Sequence, residues 1–441
     1  MDYKSYFKDK KITVIGLGLL GRGVGDVKFL AECGADLTVT DLKTEEELAL
    51  SLEQLKDFKN IKFVLGRHDL EDFKNIDMVI KSAGIPLDSP YIAEAKKNNI
   101  PVKMSASLFA EMYPGTMIGV TGTRGKSTVT AMIAKILKDA GLKTFLGGNV
   151  RGVSTLAHLP DVSVDEFAVL ELDSWQLQGF GDSKISPHVA VFTTFFPDHL
   201  NYYHKDLDLY MEDKANIFLN QKEEDFLILG DQVAPTILSK FESDIQSNIF
   251  VATKKEWNLM IPGEHNQYNA SCAAKATKVL GIKDEIIKEA LENFKGVEGR
   301  LELVKEVNDV RIYNDTTSTT PTSTVVALKA LGSEKKNIVL IIGGNDKNLE
   351  ITELLEVIPQ FSKAVITIPG TGTDNFRFKI SDLGFKNIKD AENLKEALEK
   401  SFEIAESGDI ILFSPAFTSF GQFKNEYDRG DKFMELVKKF S

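Results

Sequence analysis

TMIGVTGTRGKST, residues 116–128, is a β-branched apolar run that breaks into a glycine-containing loop and then into a helix. Backbone N–H groups of such a loop cradle the β- and γ-phosphates of a nucleotide. Lys126 would neutralise them, and the Ser127 hydroxyl can ligate Mg²⁺. The usual spelling of a phosphate loop has glycine five residues before Gly125, where this chain has Val120; its glycine stands at Gly119, so the loop is a variant. The helix that follows is well specified. Val129, Met132, Ile133, Ile136, Leu137 and Ala140 make one apolar stripe, and Gly141 supplies the stop. Strand, loop and helix in this order predict a parallel α/β unit.

The same alternation extends in both directions. Before the loop, KITVIGLG runs into a glycine turn, and DLTVTD (36–41), DMVIKSAG (77–84) and IPVKMS (100–105) follow as strands. After it come FAVLEL (167–172), HVAVFT (188–193), DFLILG (225–230) and a helix at 266–281. A third unit opens at RLELV and repeats the pattern with VRIYND (310–315), NIVLIIGG (337–344), KAVITIPG (363–370) and DIILFSPA (409–416). Short apolar runs between helices predict an α/β fold with a largely parallel sheet in each of three domains. These are a Rossmann-like domain at 1–104, a central phosphate-loop ATPase domain at 105–299 and a Rossmann-like C-terminal domain at 300–441.

Composition narrows the function. The chain has 441 residues, 43% hydrophobic and 27% charged, as expected of a soluble globular protein of two to four domains. Its formal charge of −12 argues against nucleic acid or an anionic membrane as partner. A polar N-terminus and the lack of a long apolar stretch predict no membrane insertion and a cytoplasmic location. Two cysteines, Cys33 and Cys272, read as ordinary buried thiols rather than a disulfide framework.

Gly16-Leu-Gly18-Leu-Leu-Gly21 follows a strand and opens a helix, with Asp41 at the end of the next strand. That arrangement suits a nucleotide diphosphate: the glycines admit it to the helix N-terminus and the acid can meet a ribose hydroxyl. NAD is the first expectation for the ligand, though any nucleotide diphosphate would suit the same amides; a tight turn without ligand is the competing reading. Glu171 ends its strand where it can face the phosphates as a second metal ligand. Asp198-His199, Lys214 and Asn149 would each be unremarkable alone.

Together with GLGLLG, the segments SAGIP (82–86), GVTGTRGKST, GGN (147–149), LELDSWQL (170–177), PDH (197–199), GEHNQYNA (263–270), GRLE (299–302), YND (313–315), GGNDK (343–347) and SPAFTSFGQFKNEYDRG (414–430) resemble the Mur ligase family in order and spacing along essentially the whole chain. Within that family the last segment and the N-terminal glycines are most similar to the glutamate-adding branch.

The resemblance implies a ligase of peptidoglycan precursor synthesis, adding glutamate (the D isomer is expected) to UDP-N-acetylmuramoyl-L-alanine through an acyl phosphate. It implies ATP, Mg²⁺ at two sites, and carbamylation of Lys214; a monomer is expected. Lys126, His199 and Lys214 would be catalytic. Gly122, Thr123, Arg124, Gly125, Lys126, Ser127, Thr128, Asn149, Asn269, Arg300 and Asp315 would bind ATP. Ser127, Glu171, His199 and Lys214 would serve metal. The first domain would bind UDP rather than NAD, through Gly18, Leu19, Leu20 and Asp41. Thr319, Lys347, Ser419 and Phe420 would take the glutamate.

Some positions depart from the family pattern. Arg124 stands where Asn is usual, Asp173 where a small hydroxyl is common, Thr317 for a lysine and Glu426 for an aromatic, with Tyr427 beside it. L-glutamate or another acidic amino acid therefore stays open as substrate. A folylpolyglutamate synthase would lack the N-terminal nucleotide-binding unit. An NAD-dependent oxidoreductase would leave Lys126, Glu171 and the last third without purpose, and an ATP-driven switch would need no acid, His and Lys around its loop.

Overall fold

The computed structural model describes residues 2–19, 21–199, 201–419 and 422–440. Two compact units are present: Met1–Lys255 with Tyr268–Leu291, and Glu256–Gln267 with Glu292–Ser441.

The first unit holds two sheets. One comprises β1 (Lys11–Ile15), β2 (Asp36–Asp41), β3 (Ile61–Leu65), β4 (Met78–Lys81) and β5 (Val102–Lys103), in the order β3-β2-β1-β4-β5. Its paired strands are all parallel. The chain moves outward from β1 to β3 and then returns to β4 on the other side. A crevice therefore opens beyond the carboxyl ends of β1 and β4, the usual ligand position in such sheets. The other sheet comprises β6 (Thr116–Thr121), β7 (Thr144–Gly148), β8 (Phe167–Glu171), β9 (Val189–Phe192), β10 (Phe226–Gly230) and β11 (Asn248–Ala252), ordered β11-β10-β9-β6-β8-β7 and also parallel.

Central strands such as β6 are buried on both faces, which is why they read as unbroken apolar runs. Helix Lys126–Asp139 covers this sheet with Val129, Met132, Ile133, Ile136 and Leu137, each contributing ~1.5–3 kcal/mol by leaving water. It ends as expected: Gly141 takes φ +79°, a left-handed conformation that a side chain would disfavour. The two sheets are tied together. Ser154 Oγ donates to Asp26 Oδ1 at 2.6 Å, and a Cβ on Gly25 would sit 2.6 Å from Ser154 Cβ. Burial raises the Asp26 carboxyl to about 6, against the opposing hydrogen bonds from Ser154 and Ser105. Residue 104 separates β5 from helix Ser105–Met112.

The second unit holds β12 (Glu302–Val307), β13 (Val310–Asn314), β14 (Ile338–Ile342), β15 (Ser362–Thr367), β16 (Ile388–Asp390) and β17 (Ile410–Phe413), ordered β12-β13-β17-β14-β15-β16. Only the β12–β13 pairing is antiparallel among the described strands. These two strands form a hairpin whose corner residues, Asn308 and Asp309, both have positive φ, the primed turn that matches strand twist. The loops after β13, β14 and β17 leave neighbouring strands at the same edge. Among the described residues no helix is long and apolar enough to cross a membrane. Cys33 and Cys272 are buried and unpaired with each other, and burial pushes their thiols up to about 11 and about 12.

Candidate functional site

The loop after β6 is built by two glycines. A Cβ on Gly122 would lie 2.0 Å from Thr193 Oγ1, and one on Gly125 2.4 Å from Asn269 Oδ1; both residues also have positive φ. Gly122, not Gly119, is thus the glycine the loop turn requires. Gly119 lies within β6, where a Cβ would meet Pro187 Cγ at 2.5 Å, so it serves strand packing. The shifted spelling reflects these two separate demands. Asn269, far away in sequence, is brought against the loop.

Thr123 and Arg124 are held by their backbones: Thr123 N donates to Thr194 O at 2.7 Å and Arg124 N to Thr194 Oγ1 at 3.0 Å. Replacing the usual Asn by Arg124 leaves these bonds possible, and its guanidinium reaches Asp198 at 4.0 Å. Ser127 and Thr128 occupy the first turn of the helix, ahead of Val129, whose N–H bonds to Gly125 O. Amides in this position have no intrahelical acceptor and favour an anion.

Two lysines converge on one carbonyl. Lys126 Nζ donates to Gly122 O at 3.0 Å and Thr123 O at 3.3 Å; Lys214 Nζ donates to the same Gly122 O at 3.1 Å and to Thr121 Oγ1 at 3.4 Å. Lys214 is only 1% exposed and its ammonium lies 4.8 Å from the Tyr210 ring centre. Burial, and then Lys126, hold its pKa well below the usual lysine value. His199 stands close by with φ +52°, a strained conformation for a residue with a side chain. Its ring is 4.6 Å from Trp175, and burial holds its pKa below the ordinary value; Asp198 opposes this, while Lys214 and Lys126 add to it.

Glu171 ends β8, where Val120 of β6 is its direct partner, so strand register alone sets this buried acid beside the loop. Ser127 and Glu171 are oxygen donors of the kind Mg²⁺ takes, and they fit one such ion. Among the described residues no group of three His, Cys, Asp or Glu side chains gathers for a metal. A second ion on His199 and Lys214 fits only if the lysine becomes an anion. Asp173 has a local explanation: it caps helix Ser174–Ser183, its Oδ1 accepting from Gln176 N at 2.7 Å in a reciprocal capping box. A hydroxyl and a carboxylate serve that position alike.

A cavity of about 220 Å³ lies over the glycine turn after β1, lined in part by Gly16, Gly18, Leu19, Arg22, Ser82 and Gly84. Asp41 does not point into it freely: Oδ2 accepts from Gly18 N at 3.0 Å and Oδ1 from Lys43 N at 2.9 Å, so this buried acid fixes the turn itself. Leu19 is 42% exposed at the mouth; Leu20 lies outside the described residues. Asn149 reaches both ways: its N–H donates to Glu171 O at 2.7 Å, and its Oδ1 accepts from Arg22 Nη1 at 2.5 Å. Arg22, Ser82 and Gly84 were not singled out from the sequence. SAGIP carried the last two only as a family segment, and Arg22 simply follows the last fingerprint glycine.

In the second unit Lys347 Nζ donates to Thr319 Oγ1 at 3.4 Å, bringing two of the expected glutamate ligands together. Ser419, buried, lines an adjoining cavity of about 140 Å³ with Gly343, Gly344 and Asn345. The two loops are clipped by reciprocal bonds between Asn345 and Thr418, at 3.0 and 3.1 Å. Phe420 lies outside the described residues. Arg300 is exposed beside the bridge it makes with Val297. Thr317, where the family lysine would stand, bonds back to Gly299 O through its hydroxyl at 2.9 Å.

Asp315 is buried, accepting from Ser318 Oγ at 2.6 Å, Ser414 Oγ at 2.7 Å and Leu301 N at 3.1 Å. Burial nonetheless raises its carboxyl to about 6. A raised acid contributes stability that is full below its unfolded pKa, near 3.8, and is lost as pH climbs through about 6. The gap is worth on the order of 3 kcal/mol. Denaturant unfolding of wild type and Asp315→Asn from pH 4 to 7 should show wild type losing ground to the variant; parallel curves would refute a titrating Asp315.

Comparison with known proteins agrees with this geometry. Residues 10–104 match the family described as Mur ligase MurD-like, N-terminal domain, residues 120–256 the Mur ligase middle domain, and residues 299–417 the Mur ligase, glutamate ligase domain. The chain is 38% identical to the UDP-N-acetylmuramoylalanine--D-glutamate ligase of Borreliella afzelii (strain PKo), with 98% of each covered. It is 33% identical to the protein of the same name from Clostridioides difficile (strain 630), again with 98% of each covered. Among solved structures, the UDP-N-acetylmuramate-alanine ligase of Thermotoga maritima superposes with a TM-score of 0.63 at 19% identity, covering 97% of this chain and 99% of that one. The MurF ligase of the same organism, in complex with ADP, gives 0.59 at 17% identity, covering 99% and 96%. Both likenesses are of fold.

Proposed function

The chain belongs to the Mur ligase family, and from that membership we propose the reaction it performs. It is an ATP-dependent ligase that joins D-glutamate to UDP-N-acetylmuramoyl-L-alanine in peptidoglycan precursor synthesis. The observation that carries this reading is the convergence of Lys126 and Lys214 on Gly122 O, beside Glu171 and His199. A lysine cation on a phosphate loop, with a buried second amine, an acid and an imidazole beside it, suits transfer of a phosphoryl group to a carboxylate.

A carboxylate is a poor electrophile until one oxygen becomes a leaving group. The γ-phosphoryl of ATP moves to the alanyl carboxylate, leaving ADP and an acyl phosphate. The amine of glutamate, having lost its proton, attacks the acyl carbon, and the tetrahedral adduct expels phosphate as the amide forms. Lys126 and the amides of the first helical turn hold charge on the transferring group. Asn149, Asn269, Arg300 and Asp315 bind ATP in this reading, and Gly18, Leu19 and Asp41 serve the UDP substrate. Thr319, Lys347 and Ser419 hold the amino acid. Ser127 and Glu171 would hold one Mg²⁺, whose contribution is to neutralise phosphate charge. A second would lie on His199 and a carbamylated Lys214. The cytoplasm, where ATP is available, is its place of work.

Purified chain with ATP, Mg²⁺ and UDP-N-acetylmuramoyl-L-alanine should be offered a panel of D- and L-amino acids, with products weighed by mass spectrometry. The D-glutamyl amide is expected, with phosphate release requiring both carboxylate and amine. Preferential joining of L-glutamate or another acid would overturn the choice of substrate, and amine-independent phosphate release would overturn the ligase reading.

A further inference from the structure

Arg429 is fully buried, at 0% exposure, on the first turns of helix Glu426–Lys439. Its guanidinium forks across two loops. Nη2 donates to Thr316 O at 2.8 Å and Nε to Thr316 Oγ1 at 3.3 Å, while Nη1 donates to Phe417 O at 3.1 Å. Thr316 Oγ1 in turn donates to Glu426 O at 3.0 Å, at the start of the same helix. Among the described residues these partners are carbonyls and a hydroxyl, none a carboxylate. Burial draws the guanidinium down to about 10, with Glu426 acting the other way. A buried cation satisfied this way is costly to keep, and its planar fork fixes geometry where a lysine's point charge would not.

The loops it joins are those of the amino-acid site. Thr316 is three residues from Thr319, which meets Lys347, and Phe417 is two residues from Ser419. Arg429 and Ser419 also line the same cavity. Helix Glu426–Lys439 leaves Arg429 no slack, because a Cβ on the adjacent Gly430 would sit 2.6 Å from Thr316 Cγ2.

We propose that Arg429 is a positioning residue for the incoming acidic amino acid: its fork sets the spacing between the Thr319–Lys347 pair and Ser419. This rests on the assignment of those residues to glutamate. Steady-state kinetics separate it from a general structural role. Arg429→Met should raise the KM for glutamate about tenfold or more and the KM for ATP far less, since the guanidinium bonds Thr316 and Phe417 while Asp315 is held separately by Ser318, Ser414 and Leu301 N. Arg429→Lys keeps the charge but cannot bridge both carbonyls, and should show the same glutamate defect. Thr316→Val, which keeps the arginine and its two carbonyl partners and removes only the hydroxyl between Nε and Glu426 O, should raise the glutamate KM severalfold with cooperative unfolding intact. It carries the test if the arginine variants do not fold. Recovery of the glutamate KM in Arg429→Lys, or equal rises for glutamate and ATP, would overturn the proposal. Wild-type enzyme that shows no glutamate dependence would instead overturn the substrate assignment beneath it.

Discussion

Lys126→Ala is expected to slow turnover at least about a hundredfold while leaving the protein folded. Its ammonium lies over the phosphate loop on two carbonyls, Gly122 O and Thr123 O, and is only half-buried. Removing it deletes charge stabilisation on the transferring phosphoryl group, and loss of one preorganised donor commonly costs ~3–4 kcal/mol of transition-state stabilisation. The loop itself should persist. Thr193 Oγ1 donates to Arg124 O at 2.5 Å, Arg124 N to Thr194 Oγ1 at 3.0 Å and Thr123 N to Thr194 O at 2.7 Å, none of which involves the lysine side chain. Single-turnover phosphate release separates this from weakened ATP binding. A purified variant within threefold of wild type would mean that this loop does not handle the phosphoryl group.

The strands that sequence reading located and those it passed over differ in where they sit. β6, β8, β9, β14 and β17 are buried along almost their whole length and read as largely apolar runs. β3, β7, β11, β12 and β16 were not delimited as strands, and each lies at the edge of its sheet. An edge strand is half in water, so its residues mix: β11 buries only Ala252 fully, and β16, Ile-Lys-Asp, buries nothing fully. Such segments resemble the charged crossovers around them, and only tertiary pairing makes them strands. The hairpin at Asn308–Asp309 did carry a local signal in that dipeptide between β-branched runs.

The site was legible where chemistry needs a local pattern. Gly125-Lys-Ser, and Glu171 at a strand end, follow from a loop that must cradle phosphate. What could not be read were residues whose purpose lies in distant contacts. Asn149 turns toward Arg22, 127 positions away in sequence, and nothing local to GGN says so. Asp41 has a second task that its place at a strand end does not announce: its two oxygens accept from Gly18 N and Lys43 N and hold the turn. Arg429 is one charged residue in a charged helix until its partners, 113 residues away at Thr316, are known.

Lys214→Ala should abolish most activity, and a small carboxylic acid such as acetate should restore part of it. A free ammonium beside Mg²⁺ would be repelled, so if this lysine serves metal it must first become anionic. Carbamylation does that: the neutral amine attacks the carbon of CO₂, a C–N bond forms, and a proton leaves the nitrogen to give a carbamate. The reaction needs the unprotonated amine. Burial at 1% exposure, with Lys126 close by, already favours that form, since both disfavour a charged Nζ. Because the lysine pKa is depressed, more of the amine is neutral at a given pH than for an ordinary lysine, and at fixed dissolved CO₂ the CO₂-dependent activity should grow as pH rises. The competing role is mechanical: Lys214 donates to Gly122 O and Thr121 Oγ1 and could simply brace the loop. Bracing predicts no rescue by acetate and no dependence on CO₂. Activity of wild-type enzyme in CO₂-depleted and bicarbonate-supplemented buffer decides between the two, because a brace is indifferent to the dissolved CO₂ that bicarbonate supplies whereas a carbamate is made from it.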